Sequence, residues 1–245
     1  MQQLNRVIPV LTVLDGKLVK TKRFKDPVYL GDPINAIKIF NDKRVDELIL
    51  LDIGLANANK EPNYQHLKEM ASECFIPLAY GGGITQLHIA EKVFKCGIEK
   101  VIINSACVNN FKLVSEIARS FGNQSVIVCI DYKKNMLGTR VPYVNSGTNK
   151  IKQGILPWIS AAEAAGAGEI MIQDISRDGT FQGLDLDFIS AVSAKASIPV
   201  IACGGAIDKE ACIKALQETN ASAVAAGGCF VFKKNNRKSI LINYQ

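Results

Sequence analysis

The chain has 245 residues, of which 48% are hydrophobic and 21% charged, and its formal net charge at pH 7 is +6. This length and apolar content suffice for one large core, and single α/β barrels commonly reach this size. The lysines are scattered rather than set in a basic stripe interleaved with aromatic residues, which argues against a nucleic-acid-binding protein.

Seven cysteines and two histidines limit the metal and redox chemistry of the chain. There is no C-x-x-C pair, and Cys129 and Cys203 fall in apolar runs, a pattern typical of buried thiols in a reducing compartment. With only His66 and His88 available, we expect no metal site and no cofactor. We find no secretion signal and no apolar stretch of membrane-spanning length, so we expect a cytoplasmic protein without a membrane partner.

Eight short apolar segments rich in Val, Ile and Leu alternate with longer amphipathic segments. Such continuous apolar runs are typical of parallel strands that are covered on both faces. The predicted strands are residues 6–13, 46–53, 76–81, 100–104, 125–131, 168–174, 198–203 and 222–227. The predicted helices are residues 33–41, 64–74, 86–95, 112–121, 158–165, 186–196, 209–218 and a short terminal segment. Thr85 and Asp208 are predicted N-caps of the two helices that follow glycine-rich motifs.

The two halves of the chain resemble each other. Residues 76–83 (IPLAYGGG) reappear as residues 198–205 (IPVIACGG), and the same shift of 122 places carries Asp52 onto Asp174. Four strand–helix units in each half predict a single closed (β/α)8 barrel domain over residues 1–245, built from duplicated half-barrels of about 1–122 and 123–245. A doubly wound open sheet is the alternative, but it does not explain a duplication of four units plus four.

Glycines and small polar residues follow several strands, at the end where reactive groups sit in such barrels. Their free N–H groups are suited to binding phosphate. One predicted phosphate cradle consists of Gly204, Gly205, Gly227 and Gly228. Its counterpart in the other half consists of Gly82, Gly83, Asn104 and Ser105. Two opposed cradles predict an elongated ligand with a phosphate at each end, and tight glycine turns that serve packing alone are the alternative.

Five further residues are candidates for the chemistry at the same end. Asp131 ends a buried strand, where a carboxylate can act as general acid or base, although it could instead cap a loop amide. Lys20 lies in the first strand–helix loop, within reach of the barrel mouth. Asp52, Asp178 and Gly179 lie at strand ends or in the turn after the sixth strand, where they can hydrogen-bond a ligand.

Four charged residues stand at or just before the amino ends of strands one, two, four and six. They are Arg6, Glu47, Lys100 and Glu169. Two cations and two anions at equivalent strand starts can converge on the barrel axis as a ring that plugs or gates a path through the barrel. Ordinary surface charges are the alternative.

Together these residues resemble the HisF family, the cyclase subunits of the lyase imidazole glycerol phosphate synthase. The resemblance covers nearly the whole chain and includes residues 6–9 (RVIP), 81–84 (GGGI), 103–105 (INS) and 177–180 (RDGT). It implies a barrel that receives ammonia from a HisH-like glutaminase docked on its N-terminal face, through a gate formed by the four charged residues. It also implies a phosphorylated small-molecule substrate, a bisphosphorylated ribonucleotide, at the other face, and makes Asp131 one of two catalytic aspartates.

The chain departs from this family at Thr12, where the second catalytic aspartate is expected. A threonine hydroxyl does not exchange protons near neutral pH, so the cyclase reaction of histidine biosynthesis is expected to be weak, whereas ammonia delivery is unaffected. Residues 228–232 (GCFVF) and 240–244 (ILINY) resemble the HisF-like WbuZ paralogues, which act with a glutaminase and a sugar amidotransferase in making acetamidino sugars for surface polysaccharides, including lipopolysaccharide. Sugar amidation is therefore favoured. A complete cyclase and a non-catalytic partner that docks and activates the glutaminase are the alternatives.

Overall fold

The computed structural model describes residues 5–55, 60–108, 110–233 and 236–244. The strands of these residues are β1 (Arg6–Leu14), β2 (Lys17–Lys22), β3 (Lys25–Gly31), β4 (Leu48–Asp52), β5 (Leu78–Gly81), β6 (Lys100–Ile103), β7 (Val126–Lys134), β8 (Arg140–Val144), β9 (Asn149–Lys150), β10 (Glu169–Asp174), β11 (Val200–Cys203) and β12 (Ala223–Ala226). The α-helices are α1 (Pro33–Asp42), α2 (Tyr64–Ser72), α3 (Leu87–Lys95), α4 (Lys112–Phe121), α5 (Ile155–Ala164), α6 (Leu186–Ser193), α7 (Lys209–Glu218) and α8 (Gly228–Val231).

Eight parallel strands close into a barrel. The order around it is β1, β4, β5, β6, β7, β10, β11 and β12, and β12 pairs back onto β1. Each of the eight predicted strand segments overlaps one barrel strand, although β1 and β7 run one and three residues beyond their predicted ends, and helices lie between successive strands. The predicted (β/α)8 barrel is therefore confirmed, and the open sheet is wrong because β1 has a partner on both sides. In the described part of the chain, no helix is long and apolar enough to cross a membrane.

The two predicted helix caps have different outcomes. Asp208 is the N-cap of α7, and its Oδ1 accepts a hydrogen bond of 2.7 Å from the N–H of Ala211. The Thr85 prediction is wrong, because α3 begins at Leu87 and the cap position belongs to Gln86, whose side chain makes no cap bond. Thr85 lies instead in the wall of the cavity described below.

Two antiparallel additions were not predicted. Strands β2 and β3 form a hairpin that continues from β1, while β8 and β9 pair onto the end of β7. The segment of β2 (KLVKTK) was predicted to be part of a loop, because it contains three lysines. Yet Leu18 and Val19 are buried in it, as is Lys20, so the structure places Lys20 on a strand rather than in a loop.

The barrel interior is filled by side chains that alternate along the strands. In β1, Ile8 and Val10 belong to this interior cluster, and period-two alternation places Arg6 and Thr12 on the same face at its two ends. The interior cluster consists of Ile8, Val10, Ile49, Ala79, Ile102, Ile127, Cys129, Met171, Ile201, Cys203, Ala223 and Ala225. A larger cluster lies between the sheet and the helices. The apolar interior therefore joins the N-terminal end of the barrel to the C-terminal end.

Matched contacts in the two halves support the proposal of a duplicated half-barrel. A Cβ on Gly82 would lie 2.5 Å from the carbonyl oxygen of Asp52, and one on Gly204 would lie 2.6 Å from that of Asp174. Both glycines have positive φ angles, +136° and +102°. The Asp52 and Asp174 carboxylates also accept hydrogen bonds from the N–H two residues ahead. The same local geometry thus recurs 122 positions apart.

Candidate functional site

A cavity of about 300 Å³ opens at the C-terminal end of the barrel. The structure brings every residue predicted for this end into its wall. These residues are Thr12, Lys20, Asp52, Gly82, Gly83, Asn104, Ser105, Asp131, Asp178, Gly179, Gly204, Gly205, Gly227 and Gly228. The sequence analysis missed Thr21, Ser146 and Gln173, which also line it. Gln173 could have been predicted from the sequence. It lies four residues after Glu169 and two after Met171, and alternate residues of a strand share one face.

Asp131 is a buried carboxyl group near the end of β7. Burial raises its pKa from 3.8 to about 7. The hydrogen bond from the Cys129 thiol, with a sulfur–oxygen distance of 3.5 Å, opposes this rise, and the negative charge of Asp178 adds to it. A carboxyl group that titrates near neutral pH can both donate and accept a proton there, which is what general acid–base chemistry requires.

Asp131→Asn is expected to change the pH dependence of folding stability. Because the pKa of Asp131 is raised on folding, its contribution to stability is fully present below about pH 3.8 and is lost as the pH rises through about 7. A shift of this size corresponds to on the order of 4 kcal/mol. The asparagine variant should therefore gain stability relative to the wild type between pH 4 and pH 8. Urea unfolding at several pH values measures this difference, and parallel curves for the two proteins would contradict it.

Lys20 and Asp178 form a buried ion pair at the cavity mouth. The Lys20 Nζ lies 2.7 Å from Asp178 Oδ1. Gly179 permits this contact between the β2–β3 hairpin and the loop after β10, because a Cβ there would lie 2.5 Å from the carbonyl oxygen of Thr21. Asp52, another carboxylate of the cavity wall, accepts a hydrogen bond from the N–H of Gly54.

Residues of both predicted phosphate cradles also make contacts within the protein. A Cβ on Gly205 would overlap the carbonyl oxygen of Gly183, so tight packing is one reason for the glycine there. In the other cradle the Asn104 amide donates to the carbonyl of Cys129 at 3.0 Å, and the Ser105 hydroxyl donates to Asn104 at 3.1 Å. These side chains are engaged within the protein, so a phosphate role falls on backbone N–H groups and stays a proposal.

The four predicted charged residues converge at the opposite end of the barrel. Arg6 donates to Glu47 at 2.5 Å and to Glu169 at 2.7 Å. Lys100 donates to the same two carboxylates at 2.9 Å and 2.6 Å. Each cation therefore bridges both anions, and the four side chains form a closed ring, here called the charged ring. A set of separate surface charges is wrong for these residues.

The charged ring favours the ionised forms of Arg6, Lys100 and Glu169. Burial would lower the pKa of Lys100, but its hydrogen bond and charge interaction with Glu169, followed by those with Glu47, raise it overall. Burial would raise the pKa of Glu169, but the bonds and charges of Arg6 and Lys100 lower it overall. The shifts of both groups therefore favour their charged forms.

No set of side chains suited to a metal ion is found within the described ranges, where His, Cys, Asp and Glu do not gather in groups of three or more. What the structure does bring together around a single cavity is the carboxyl groups of Asp52 and Asp131, the buried Lys20–Asp178 ion pair and several glycine turns. This arrangement is suited to an anionic ligand and to proton transfer.

Comparisons with known proteins agree with this geometry. Residues 6–236 match a protein family described as "Histidine biosynthesis protein". A protein from Pseudomonas aeruginosa named "Putative imidazole glycerol phosphate synthase subunit hisF2" is 48% identical over 239 residues, which cover 98% of this chain and 95% of that protein. "Imidazole glycerol phosphate synthase subunit HisF" of Streptococcus mutans is 36% identical over 225 residues, covering 92% and 90% of the two chains. The protein of the same name from Hydrogenobaculum sp. is 38% identical over 229 residues, covering 94% and 91%.

Proposed function

This chain belongs to the histidine biosynthesis protein family as a HisF-like imidazole glycerol phosphate synthase subunit, and on that premise we propose that it works in a glutamine amidotransferase complex. A HisH-like glutaminase docks on the N-terminal face and releases ammonia at the charged ring. The ammonia passes through the barrel to the cavity, where a phosphorylated ligand is held. Its nitrogen is used for sugar amidation by a partner amidotransferase.

The observation that carries this proposal is the alignment of the charged ring with the cavity. Inward-facing residues of one strand connect the two ends, since Glu169 of the ring, Met171 of the apolar interior and Gln173 of the cavity lie on one face of β10. Neutral ammonia crosses such an apolar interior at a lower cost than an ammonium ion does. The barrel is therefore suited to passing ammonia from one face to the other.

Thr12 supports sugar amidation over the complete cyclase reaction. Asp131 can exchange a proton near neutral pH, but the wall opposite offers a hydroxyl where a second carboxylate would complete an acid–base pair. Delivery of ammonia does not need that pair. The cavity is accordingly competent to hold a ligand and pass ammonia on, with diminished capacity for ring closure.

One observation favours the histidine-pathway cyclase as a second candidate. A pKa of about 7 lets Asp131 donate and accept protons in turn, so that one carboxyl could serve both steps. The third candidate, a barrel that only docks and activates the glutaminase, does not account for a cavity that retains Asp131 and the Lys20–Asp178 pair.

Transfer of isotope from glutamine distinguishes these candidates. The chain is combined with the HisH-like glutaminase of its own organism and with amide-¹⁵N glutamine. One reaction receives the bisphosphorylated ribonucleotide of the histidine pathway, and another receives a sugar nucleotide with its amidotransferase. We expect ¹⁵N in the sugar product, as measured by mass spectrometry, and little in imidazole glycerol phosphate.

A histidine-pathway HisF in place of this chain is the control, and it should give the opposite distribution. If ¹⁵N enters imidazole glycerol phosphate at the control rate, the chain is a histidine-pathway cyclase and the proposal of sugar amidation is wrong. If glutamine is hydrolysed faster in the presence of this chain but ¹⁵N enters neither product, the chain is a docking partner and the proposed transfer is wrong.

A further inference from the structure

An arginine near the end of the chain binds the β2–β3 hairpin. The terminal nitrogen atoms of Arg237 donate to the carbonyl oxygens of Thr21 at 3.0 Å, Lys20 at 3.2 Å and Asp26 at 3.4 Å. Lys20 and Thr21 belong to β2, and Asp26 belongs to β3. The Arg237 guanidinium therefore ties both strands of the hairpin to the C-terminal segment.

These bonds fall at an irregularity of the hairpin. The pairing of β2 with β3 shifts register between Lys20 and Lys22. A β-bulge of this kind interrupts the ladder of hydrogen bonds and changes the direction of a side chain. A guanidinium carries several N–H donors in one plane, so it can supply bonds that an interrupted ladder does not. Arg237 thus acts on the backbone of Lys20, whose side chain lines the cavity.

Arg237 is itself fixed by its surroundings. Its guanidinium carbon lies 5.3 Å from the centre of the Phe232 ring, a cation–π contact, and Phe232 is buried. Phe232 also forms an antiparallel bridge with Ile240, so the chain folds back around Arg237. A Cβ on Gly179 would lie 3.2 Å from Nη1 of Arg237, so the guanidinium packs closely against the turn after β10. The arginine is therefore a fixed support for the hairpin.

The same hairpin brings a buried charge into the cavity wall. Lys20 Nζ lies 2.7 Å from Asp178 Oδ1, and the Thr21 hydroxyl lies 3.5 Å from Asp178 Oδ2. A buried ammonium depends on its partner staying in contact, because it has lost its hydration. A shift of the backbone at Lys20 would separate the pair, and Arg237 binds that backbone directly.

We propose that Arg237 is a positioning residue for Lys20. By binding carbonyl oxygens of β2 and β3, it fixes the hairpin so that the Lys20 ammonium stays on Asp178 in the cavity wall. Without Arg237 the hairpin opens at the bulge more often, and Lys20 leaves the cavity for solvent. The end of the chain thereby determines whether the cavity wall holds this cation.

Acetylation of lysines measures whether Lys20 stays buried. The full-length wild type and Arg237→Met receive a short pulse of acetic anhydride, and peptide mass spectrometry gives the acetylation of each lysine. Lys20 is buried, whereas Lys17 and Lys22 of the same strand are exposed and serve as references. We expect Lys20 to react about tenfold faster in Arg237→Met, since the bonds from a charged donor are lost, and the references to be unchanged. Unchanged protection of Lys20, or a parallel rise at Lys100 at the other end of the barrel, would overturn the proposal.

Two further variants make the result specific. Arg237→Gln keeps an N–H donor group without the charge, so its Lys20 should react at a rate between those of the wild type and Arg237→Met. Circular dichroism verifies folding, and if Arg237→Met does not fold, wild-type protection of Lys20 in the folded Arg237→Gln would overturn the proposal.

Arg23→Met is the matched control on the same hairpin. Arg23 lies at its tip, where its Nε donates to the carbonyl of Ser176 at 3.0 Å. Its backbone N–H donates to the carbonyl of Asp178 at 2.9 Å, a bond that the substitution keeps. Lys20 should therefore stay protected in Arg23→Met. Equal acetylation of Lys20 in Arg23→Met and Arg237→Met would mean that the loss of either contact opens the hairpin, and the specific role of Arg237 would be wrong.

One consequence rests on the proposed function. If the cavity holds a phosphorylated ligand, loss of the Lys20 cation from its wall should weaken the binding of inorganic phosphate. Titration calorimetry with phosphate on the wild type and Arg237→Met measures this difference. Absence of phosphate binding by the wild type would count against the phosphate cradles, while the acetylation of Lys20 would still decide the role of Arg237.

Discussion

Thr12→Asp is expected to raise ammonia-dependent cyclisation of the histidine-pathway bisphosphate by about 10²–10⁴-fold, the range typical of one positioned acid or base. Thr12 faces the barrel interior at the end of β1 and lines the same cavity as Asp131. A second carboxylate there would push the pKa values of the two groups apart, so that one is protonated while the other is ionised. The measurement is steady-state turnover with ammonium chloride in place of glutamine.

Two variants make this result specific. Thr12→Asn has nearly the same shape as the aspartate variant but cannot ionise, so it should give no gain. Thr12→Asp combined with Asp131→Asn should return to the wild-type rate, because the new acid then lacks its partner. If the wild type already turns over the bisphosphate as fast as a histidine-pathway HisF, Thr12 does not limit cyclisation. The sugar-amidation proposal would then lose its main support.

Lys100→Met is expected to lower glutamine-dependent transfer while leaving ammonia-dependent transfer largely intact. The substitution removes one of the two cations that bridge Glu47 and Glu169, so the charged ring no longer closes. It should also cost about 3 kcal/mol of unfolding free energy, at the low end for a broken buried pair, since Lys100 is partly exposed. The two transfer rates are measured with glutamine and with ammonium chloride, and stability is measured by urea unfolding.

Lys92→Met is the matched control for the charged ring. Lys92 pairs with Glu61 at 2.9 Å, but both side chains are nearly half exposed, so its loss should change stability little and should change neither transfer rate. Equal effects of the two substitutions would mean that the ring is an ordinary set of surface pairs. A parallel fall in both transfer rates after Lys100→Met would mean that the ring supports the fold but does not control ammonia passage.

The charged ring also predicts a range of pH in which it stabilises the fold. The pKa of Glu169 is lowered below its usual 4.5, so its contribution is present above that pH and is lost as the pH falls through its folded pKa. The pKa of Lys100 is raised above 10.5, so its contribution is present below that pH and is lost at more alkaline pH. The unfolding free energies of the wild type and Lys100→Met should therefore be compared near pH 7, where both contributions are present.

The sequence predicted the barrel well because continuous apolar runs mark buried parallel strands, and it predicted the charged ring because strand starts meet at one end of a barrel. It did not predict the Lys20–Asp178 pair, whose members are 158 positions apart. It also missed the β2–β3 hairpin, because the lysine-rich segment of β2 has no long apolar run, although its four central residues are buried. The pKa of Asp131 follows from burial and neighbours, which only the folded chain defines.

The pairing of β1 with β12 has a consequence for how the chain is made. Residues 6–9 of β1 pair with residues 223–226, so β1 cannot complete its hydrogen bonds until residue 226 has left the ribosome. Until then β1 presents an open edge, and open edges invite pairing with other chains. During synthesis the protein is therefore prone to aggregate through β1 until β12 has been made and pairs with it.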